Sequence, residues 1–194
     1  MAETLSKFGV PLGGGAGRGG ILQPKAKYRF RVRVINFGPI AGGIELTQQV
    51  VSVGKPTVGH ESVPVHSYNS VAYYAGKHEW ETVTLVVRDD ITNTVLRLCA
   101  HQIQKQLNHL EQTGFTSGVN YKFTMLIETM DGGNDGVLDT WTLEGCMIEN
   151  YESTELDYSD SEFQTISMTI RYDNATLGDG LMTALPEFIA GNRV

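Results

Sequence analysis

The sequence predicts a mainly β protein of the α+β class: an antiparallel β-barrel or sandwich with one amphipathic helix on its flank and extended N- and C-terminal arms. Two observations carry that reading. Seven segments show strand alternation or β-rich composition, separated by glycine and proline turn signals. A single stretch shows apolar residues at the three-and-four spacing of a helix. With 194 residues, 41% of them apolar, the chain fits one domain with a sizeable core.

Residues 1–24 form a Gly-rich N-terminal arm, because six glycines fall between Gly13 and Gly20 and no core can be built from them. Residues 25–174 form the β domain, and residues 175–194 a C-terminal arm with glycines and Pro186 among its apolar residues.

Within the domain, residues 26–37 alternate strictly. Tyr28, Phe30, Val32 and Val34 lie on one face, and Lys27, Arg29, Arg31 and Arg33 on the other. Asn36 breaks the phase, and Gly38-Pro39 ends the strand. Residues 46–55 and 63–75 are β-rich. Pro56, Gly59 and Pro64 between them predict two long strands joined by a projecting loop. Residues 80–88 give another strand. Residues 121–130 and 139–150 flank Asp131–Gly136 and predict a hairpin. Residues 163–172 complete the set, with Ile166, Met168, Ile170 and Tyr172 on one side.

The helix is expected over about 92–112, on the stripe Ile91, Val95, Leu98, Cys99, Ile103, Leu107 and Leu110. Thr92 or Asp90 serves as its start and Thr113-Gly114 as its stop. A helix with one apolar face packs on a sheet.

The motifs that could carry chemistry are weak. Gly15 to Gly20 matches the spacing G-x-G-x-x-G but neither follows a strand nor opens a helix, as a phosphate cradle requires. Asp131, Asp135, Gly136 and Asp139 occupy calcium-loop positions, yet Thr142 stands where a bidentate Glu is required. The segment reads as a hairpin turn. The five histidines, His60, His66, His78, His101 and His109, have no paired metal-ligand spacing. No nucleophile motif accompanies the serines near His60 and His66. Cys99 and Cys146 read as buried free thiols. The expectation is therefore a non-enzymatic protein without cofactor or metal. A run of 18 apolar residues is lacking, and the first residues lack a basic start followed by an apolar block. Neither a membrane segment nor a secretory signal is expected.

Charge is unevenly spread. Residues 1–97 carry 11 basic and 7 acidic side chains, and residues 98–194 carry 4 and 15, for a net charge of −7. Such asymmetry suits attraction between copies, or simply mixes on one folded surface. Residues 149–162 hold six acids and no base. They read as a solvated loop, or as a partner surface for the Arg29, Arg31 and Arg33 face of the same or another copy.

The order of these features resembles the tail tube proteins of contractile-tailed bacteriophages, related in fold to type VI secretion tube proteins. The resemblance rests on the strand beginning at Lys27 and on Gly76–Asp90, with Trp80 and Arg88-Asp89-Asp90, feeding the helix. It continues in the block with Trp141, Leu143 and Gly145-Cys146, then a polar bend and the closing strand Ile170 to Asp173. It spans residues 26–175.

The resemblance implies a structural protein of the virion tail, assembled in the host cytoplasm. Copies form hexameric rings whose sheets join into one inner barrel. Rings stack into a tube that meets a tail sheath protein, baseplate and tail terminator, and DNA passes through the lumen. A net acidic wall suits that passage, since phosphate contacts would hold DNA back. Candidate contacts between subunits are Lys27, Arg29, Arg31 and Arg33, then Lys55, Pro56, His60 and Glu61, then Glu152, Glu155, Asp157 and Asp160. The alternatives are a type VI secretion-like or other contractile injection tube, an enzyme on a small barrel, and a nucleic-acid-binding barrel. The last fits poorly, because alternation puts Tyr28 and Phe30 opposite the arginines.

Overall fold

The computed structural model describes residues 25–39, 43–46, 48–114, 117–131, 136–159 and 161–179. The segment expected as the N-terminal arm, 1–24, and residues 180–194 lie outside them.

Alternation places β1 at Phe30–Ile35, with Val32 and Val34 buried and Arg33 exposed. The strand is shorter than its sequence pattern. Lys27-Tyr28 form a turn, and Tyr28 is exposed instead of joining the core face. Asn36 does break the phase: it sits at φ 62, and Gly38 follows at φ 63. The other strands of the body are β2 (Gly43–Glu45), β3 (Val50–Val53), β6 (Val83–Arg88), β9 (Phe123–Met130), β10 (Val137–Ser153), β11 (Thr165–Arg171) and β12 (Asn174–Asp179). They pair antiparallel in the order β2-β1-β9-β10-β11-β6-β3, with β12 also on β10. The expected barrel does not close among the described residues, because β2 and β3 end the path without meeting each other.

The two halves of β10 serve two sheets. Residues from Val137 to Cys146 pair with β9 and those from Asp139 to Glu144 with β12, while Met147–Ser153 pair with β11. The changeover falls at a register shift between Leu143 and Cys146. Gly145 there has φ +68, where L side chains are strained, and an added Cβ would run into the Asp173 carboxylate. Asp173 is itself fixed: its N–H donates to the Glu144 carbonyl at 3.0 Å, and Lys122 Nζ donates to its Oδ2 at 2.5 Å.

Between the sheets lies one core, including Val32, Val34, Met125, Ile127 and Leu143 from one sheet and Leu85, Val87, Ile166, Met168 and Ile170 from the other. The side expected of 163–172 is buried throughout. Helix α1 (Thr94–Gln106) packs Val95 and Cys99 into this core. It is shorter than expected at both ends. Asp90 starts it, accepting from the Thr94 N–H at 2.8 Å, which leaves Ile91 outside the stripe and fully exposed. Leu107 turns extended and pairs in a short hairpin, β7 (Leu107–Asn108) with β8 (Thr113–Gly114). The Asn108 carboxamide there accepts from the Leu110 and Glu111 N–H groups.

Two amides on the helix's buried face join it to the sheets. Gln102 accepts from the Gly38 N–H at 2.9 Å and donates to the Tyr121 carbonyl at 2.6 Å. Gln106 both donates to the Ile148 carbonyl and accepts from the Ile148 N–H, each at 2.9 Å, beside a second irregularity of β10. Its side chain thus stands in for a neighbouring strand. The helix covers the end of the sandwich where β1 finishes and β9 begins.

The largest departure from the sequence reading is a ribbon. Residues expected as a loop around Pro56–Pro64 instead extend as β4 (Val58–Ser67), paired with β5 (Ser70–Trp80). The turn sits at Tyr68-Asn69, so the projection is a long hairpin whose tip lies beyond the expected loop. Pro64 is tolerated because β4 has one free edge in this two-stranded sheet. Trp80 closes β5 and does not open the 80–88 strand; that strand begins at Val83.

If Gly145 sets the changeover, Gly145→Ala should destabilise the fold by about 1–3 kcal/mol, from the left-handed strain at φ +68. The urea unfolding midpoint measures this, and an unchanged midpoint would contradict the assignment.

Candidate inter-subunit surfaces

The basic face of β1 is largely neutralised within the chain. Arg31 lies directly opposite Glu128 of β9, and its Nε donates to Glu128 Oε2 at 2.5 Å. Arg33, one pair further on, places Nη1 3.7 Å from Glu128 Oε1. Glu128 is nearly buried, so its carboxylate depends on these two cations. Arg29 Nη1 donates to the Asp131 carbonyl at 2.6 Å. Of the four basic residues, Lys27 stands exposed in the turn before the strand. The neutralising acid is thus Glu128, 97 residues away in sequence, and not the acidic segment 149–162.

Lys55 and Pro56 follow β3. Lys55 Nζ lies 3.8 Å from Asp139 Oδ1, and Lys25 Nζ donates to Asp139 Oδ2 at 2.6 Å. Burial raises the Asp139 carboxyl, but these bonds, one to Thr129 and the Lys55 charge outweigh it and hold it below the usual carboxylate range. Lys25, Lys55, Tyr28, Phe30, Ser52 and Val53 help to line an open groove of about 810 Å³ at the end of the sandwich away from the helix.

His60 and Glu61 lie on β4, where both are exposed. The ribbon they belong to is rooted at its base and has no other support among the described residues. Trp80 packs on Tyr172 with ring centroids 5.7 Å apart, and Arg171 reaches the Trp80 carbonyl. Beyond the root, Val63 and Val65 face Tyr74 and Ala72 on one side, while Pro64 and His66 face Tyr73 and Val71 on the other. Val63, Val65, Val71, Tyr73 and Tyr74 are 42% to 70% exposed. Both faces are apolar, and two strands alone are marginal in water.

Glu152 lies one residue before the end of β10, and Glu155 and Asp157 lie in the exposed loop that follows; Asp160 lies outside the described residues. Asp157 accepts from the Ser159 N–H and hydroxyl, which lower its carboxyl's pKa. The loop also exposes Leu156, Tyr158 and Phe163. Their side chains sit among acids, a signal present in the sequence but masked there by the charge run.

Cys99 and Cys146 are buried free thiols, each pushed up to about 12 by burial. The Cys99 S–H donates to Met168 Sδ and that of Cys146 to the Leu143 carbonyl. Among the described residues, no group of three His, Cys, Asp or Glu side chains is placed to hold a metal. None of the described helices is long and apolar enough to cross a membrane. The calcium-loop positions fall partly on 132–135, outside the described residues.

No protein-family model matches the chain, and no curated protein matches it. Solved structures do. A chain of the anti-feeding prophage baseplate, in a 6-fold symmetrised structure, aligns at TM-score 0.65 and 12% identity, over 82% of this chain and 98% of that one. A chain of the sheath-tube complex of an extracellular contractile injection system aligns at 0.61 and 14%, over 81% and 93%. The SPP1 tail tube aligns at 0.55 and 12%, over 88% and 87%. The chain has the fold of these tail-tube and injection-system proteins.

The intramolecular account of the basic face separates two substitutions. Arg31→Ala should cost about 2 kcal/mol by stranding the nearly buried Glu128 carboxylate, while Lys27→Ala should stay within about 0.5 kcal/mol. Equal costs in urea unfolding would refute it.

Proposed function

We propose that this chain is the protomer of a tail tube of a contractile phage tail. Copies close into rings, six to a ring, and the rings stack into a hollow conduit through which DNA is delivered into the host. The protein is structural and works without a cofactor. Its partners are further copies of itself, the sheath, the baseplate and the tail terminator. It is part of the virion tail and is assembled in the host cytoplasm.

The observation that carries this reading is the β4–β5 ribbon. Its two apolar faces have no cover among the described residues, and neighbouring copies would supply it. Burying each of these valines and tyrosines contributes roughly 1–2 kcal/mol, so one ribbon brings several kcal/mol to a contact between copies. The outer edges of β2 and β3, unpaired among the described residues, offer backbone groups for pairing across a ring. Six copies per ring agrees with the 6-fold symmetry of the anti-feeding prophage baseplate. A net charge of −7 per copy disfavours retention of a polyanion in the lumen.

A second reading is the tube of an injection system with a cargo other than DNA. It is favoured by the higher TM-scores of the anti-feeding prophage and contractile injection system chains than of the SPP1 tail tube. Nuclease-protected DNA in purified particles decides between the two.

Negative-stain microscopy of the purified chain should show rings or tubes. Val65→Asp and Tyr73→Asp place a charge on either face of the ribbon and touch no core residue. Each should abolish assembly while leaving the thermal midpoint of the unassembled chain within a few degrees of wild type. Normal tubes from both variants would remove the ribbon from the interface, and a wild-type chain that stays monomeric at all concentrations would end the tube reading.

A further inference from the structure

We propose that the groove at the open end of the sandwich is the seat of residues 181–189 of the same chain, held there by apolar contact. The contact lies within one chain, so it goes beyond the tube reading and does not depend on it.

Three observations carry this. The first is the character of the groove. Phe30, Val50 and Val53 are partly buried along it, and Tyr28 and Val51, which also line it, are 75% and 41% exposed. The charges at its rim are largely engaged already: Asp139 holds Lys25 and Lys55, and the Asp131 carbonyl holds Arg29. What is left to recognise an occupant is therefore mainly hydrophobic.

The second is where the described chain ends. Thr129 lines the groove; it pairs with Asp139, and Asp139 pairs with Asp179, the last described residue. Two strand spacings, roughly 10 Å, separate Thr129 from Asp179. Strand β12 runs in the direction of β9, so the chain leaves at the end of the sheet where β1 begins. Two residues further in, Ile127 of the groove pairs with Trp141, and Trp141 with Leu177, so these three side chains share one face. Leu177 is 58% exposed. An apolar path thus leads from the exit to the groove.

The third is the sequence that follows. Leu181, Met182, Leu185, Phe188 and Ile189 crowd into nine positions, with Glu187 the one charge among them. Residues 180–194 span up to about 50 Å when extended, several times the distance needed. The groove's volume of about 810 Å³ lies within the range of roughly 300–1,000 Å³ that buries a ligand of drug size, which a few of these side chains equal in bulk. The other terminal segment arrives at Lys25, but glycines fill most of Gly13–Gly20 and it brings no comparable apolar run.

Maleimide labelling of the dilute full chain tests this. Ser52 lines the groove and is exposed among the described residues, so a thiol placed there by Ser52→Cys reports any further cover. Leu156→Cys, in the exposed loop after β10, serves as the uncovered standard. Cys99 and Cys146 are buried with thiols pushed up to about 12, so they stay unlabelled while the body is folded. Ser52→Cys should react at least about tenfold more slowly than Leu156→Cys, as a docked segment that opens only part of the time requires. Dilution should leave that protection unchanged, and so should about 1 M salt, where attraction between charges is screened beyond about 3 Å. Adding Leu185→Asp or Phe188→Asp to Ser52→Cys should bring its rate close to that of the standard. Phe8→Asp, in the other terminal segment, should not. Equal rates for Ser52→Cys and Leu156→Cys overturn the proposal. So does protection that survives both changes in 181–189, that is lost with Phe8→Asp, or that fades at high salt. Protection that fades on dilution would assign the groove to a second copy and also overturn it. Tubes seen by microscopy, with Ser52→Cys unprotected in the dilute chain, sink this contact alone. A protected monomer that never forms tubes sinks the tube reading and keeps the contact.

Discussion

One strand, β10, belongs to both sheets, and every other feature of the body takes its position from that. Its first half pairs with β9 and β12, and its second half with β11. The backbone departs from the regular pleat between Leu143 and Cys146, where the pairing with β9 ends. Gly145 at φ +68, wedged against Asp173, supplies that departure. Once the strand is bent, the inner faces of the two sheets meet over a common core. A second irregularity near Ile148 would leave backbone groups unpaired, and the Gln106 side chain takes both of them. The helix is thereby tied to one end of the sandwich, and the other end stays open as the groove.

The charges of the body are largely paired within it, whereas the apolar faces of its projections have no cover among the described residues. Arg31 and Arg33 meet Glu128 inside the chain, so the basic face that stands out in the sequence is mostly spent locally. The large surface left uncovered among the described residues is apolar. The ribbon shows Val63, Val65 and Tyr74 on one face and Val71 and Tyr73 on the other. A surface sheet in a monomer keeps one polar face, because only one side packs on a core. A ribbon apolar on both sides is suited to being sandwiched, and repeated copies of the same chain are the simplest partner. The acidic loop with its exposed Leu156 and Tyr158 follows the same logic on a smaller scale.

Much of the body was legible in the sequence, because strong local periodicity decided it. The buried faces of β1 and β11, the β9–β10 hairpin and the helix stripe at Val95 and Cys99 all follow from spacing alone. The resemblance, carried by residues such as Trp80 and Gly145-Cys146, pointed to the same fold. What could not be read depends on pairing between distant residues. Glu128 as the partner of Arg31 is a cross-strand contact that only register reveals. The ribbon was missed because Pro64 and Gly59 read as loop signals, and they lose that meaning on a free edge. Asp90, one of the two expected starts, does cap the helix, whereas its end differs because Asn108 hydrogen-bonds to nearby backbone and overrides the apolar stripe. Gln102 and Gln106 fall on the stripe's own spacing, four residues apart, and that placement is the clue the sequence offers.

The account rests on the ribbon gaining its cover from sister copies. Amide hydrogen exchange over Val58–Trp80, followed in dilute chain and in assembled material, measures that cover directly. Fast exchange in the dilute chain that becomes slow by at least two orders of magnitude on assembly is the predicted result, as burial in a stable interface of a few kcal/mol requires. Slow exchange already present in the isolated chain, or exchange that assembly leaves unchanged, would contradict it.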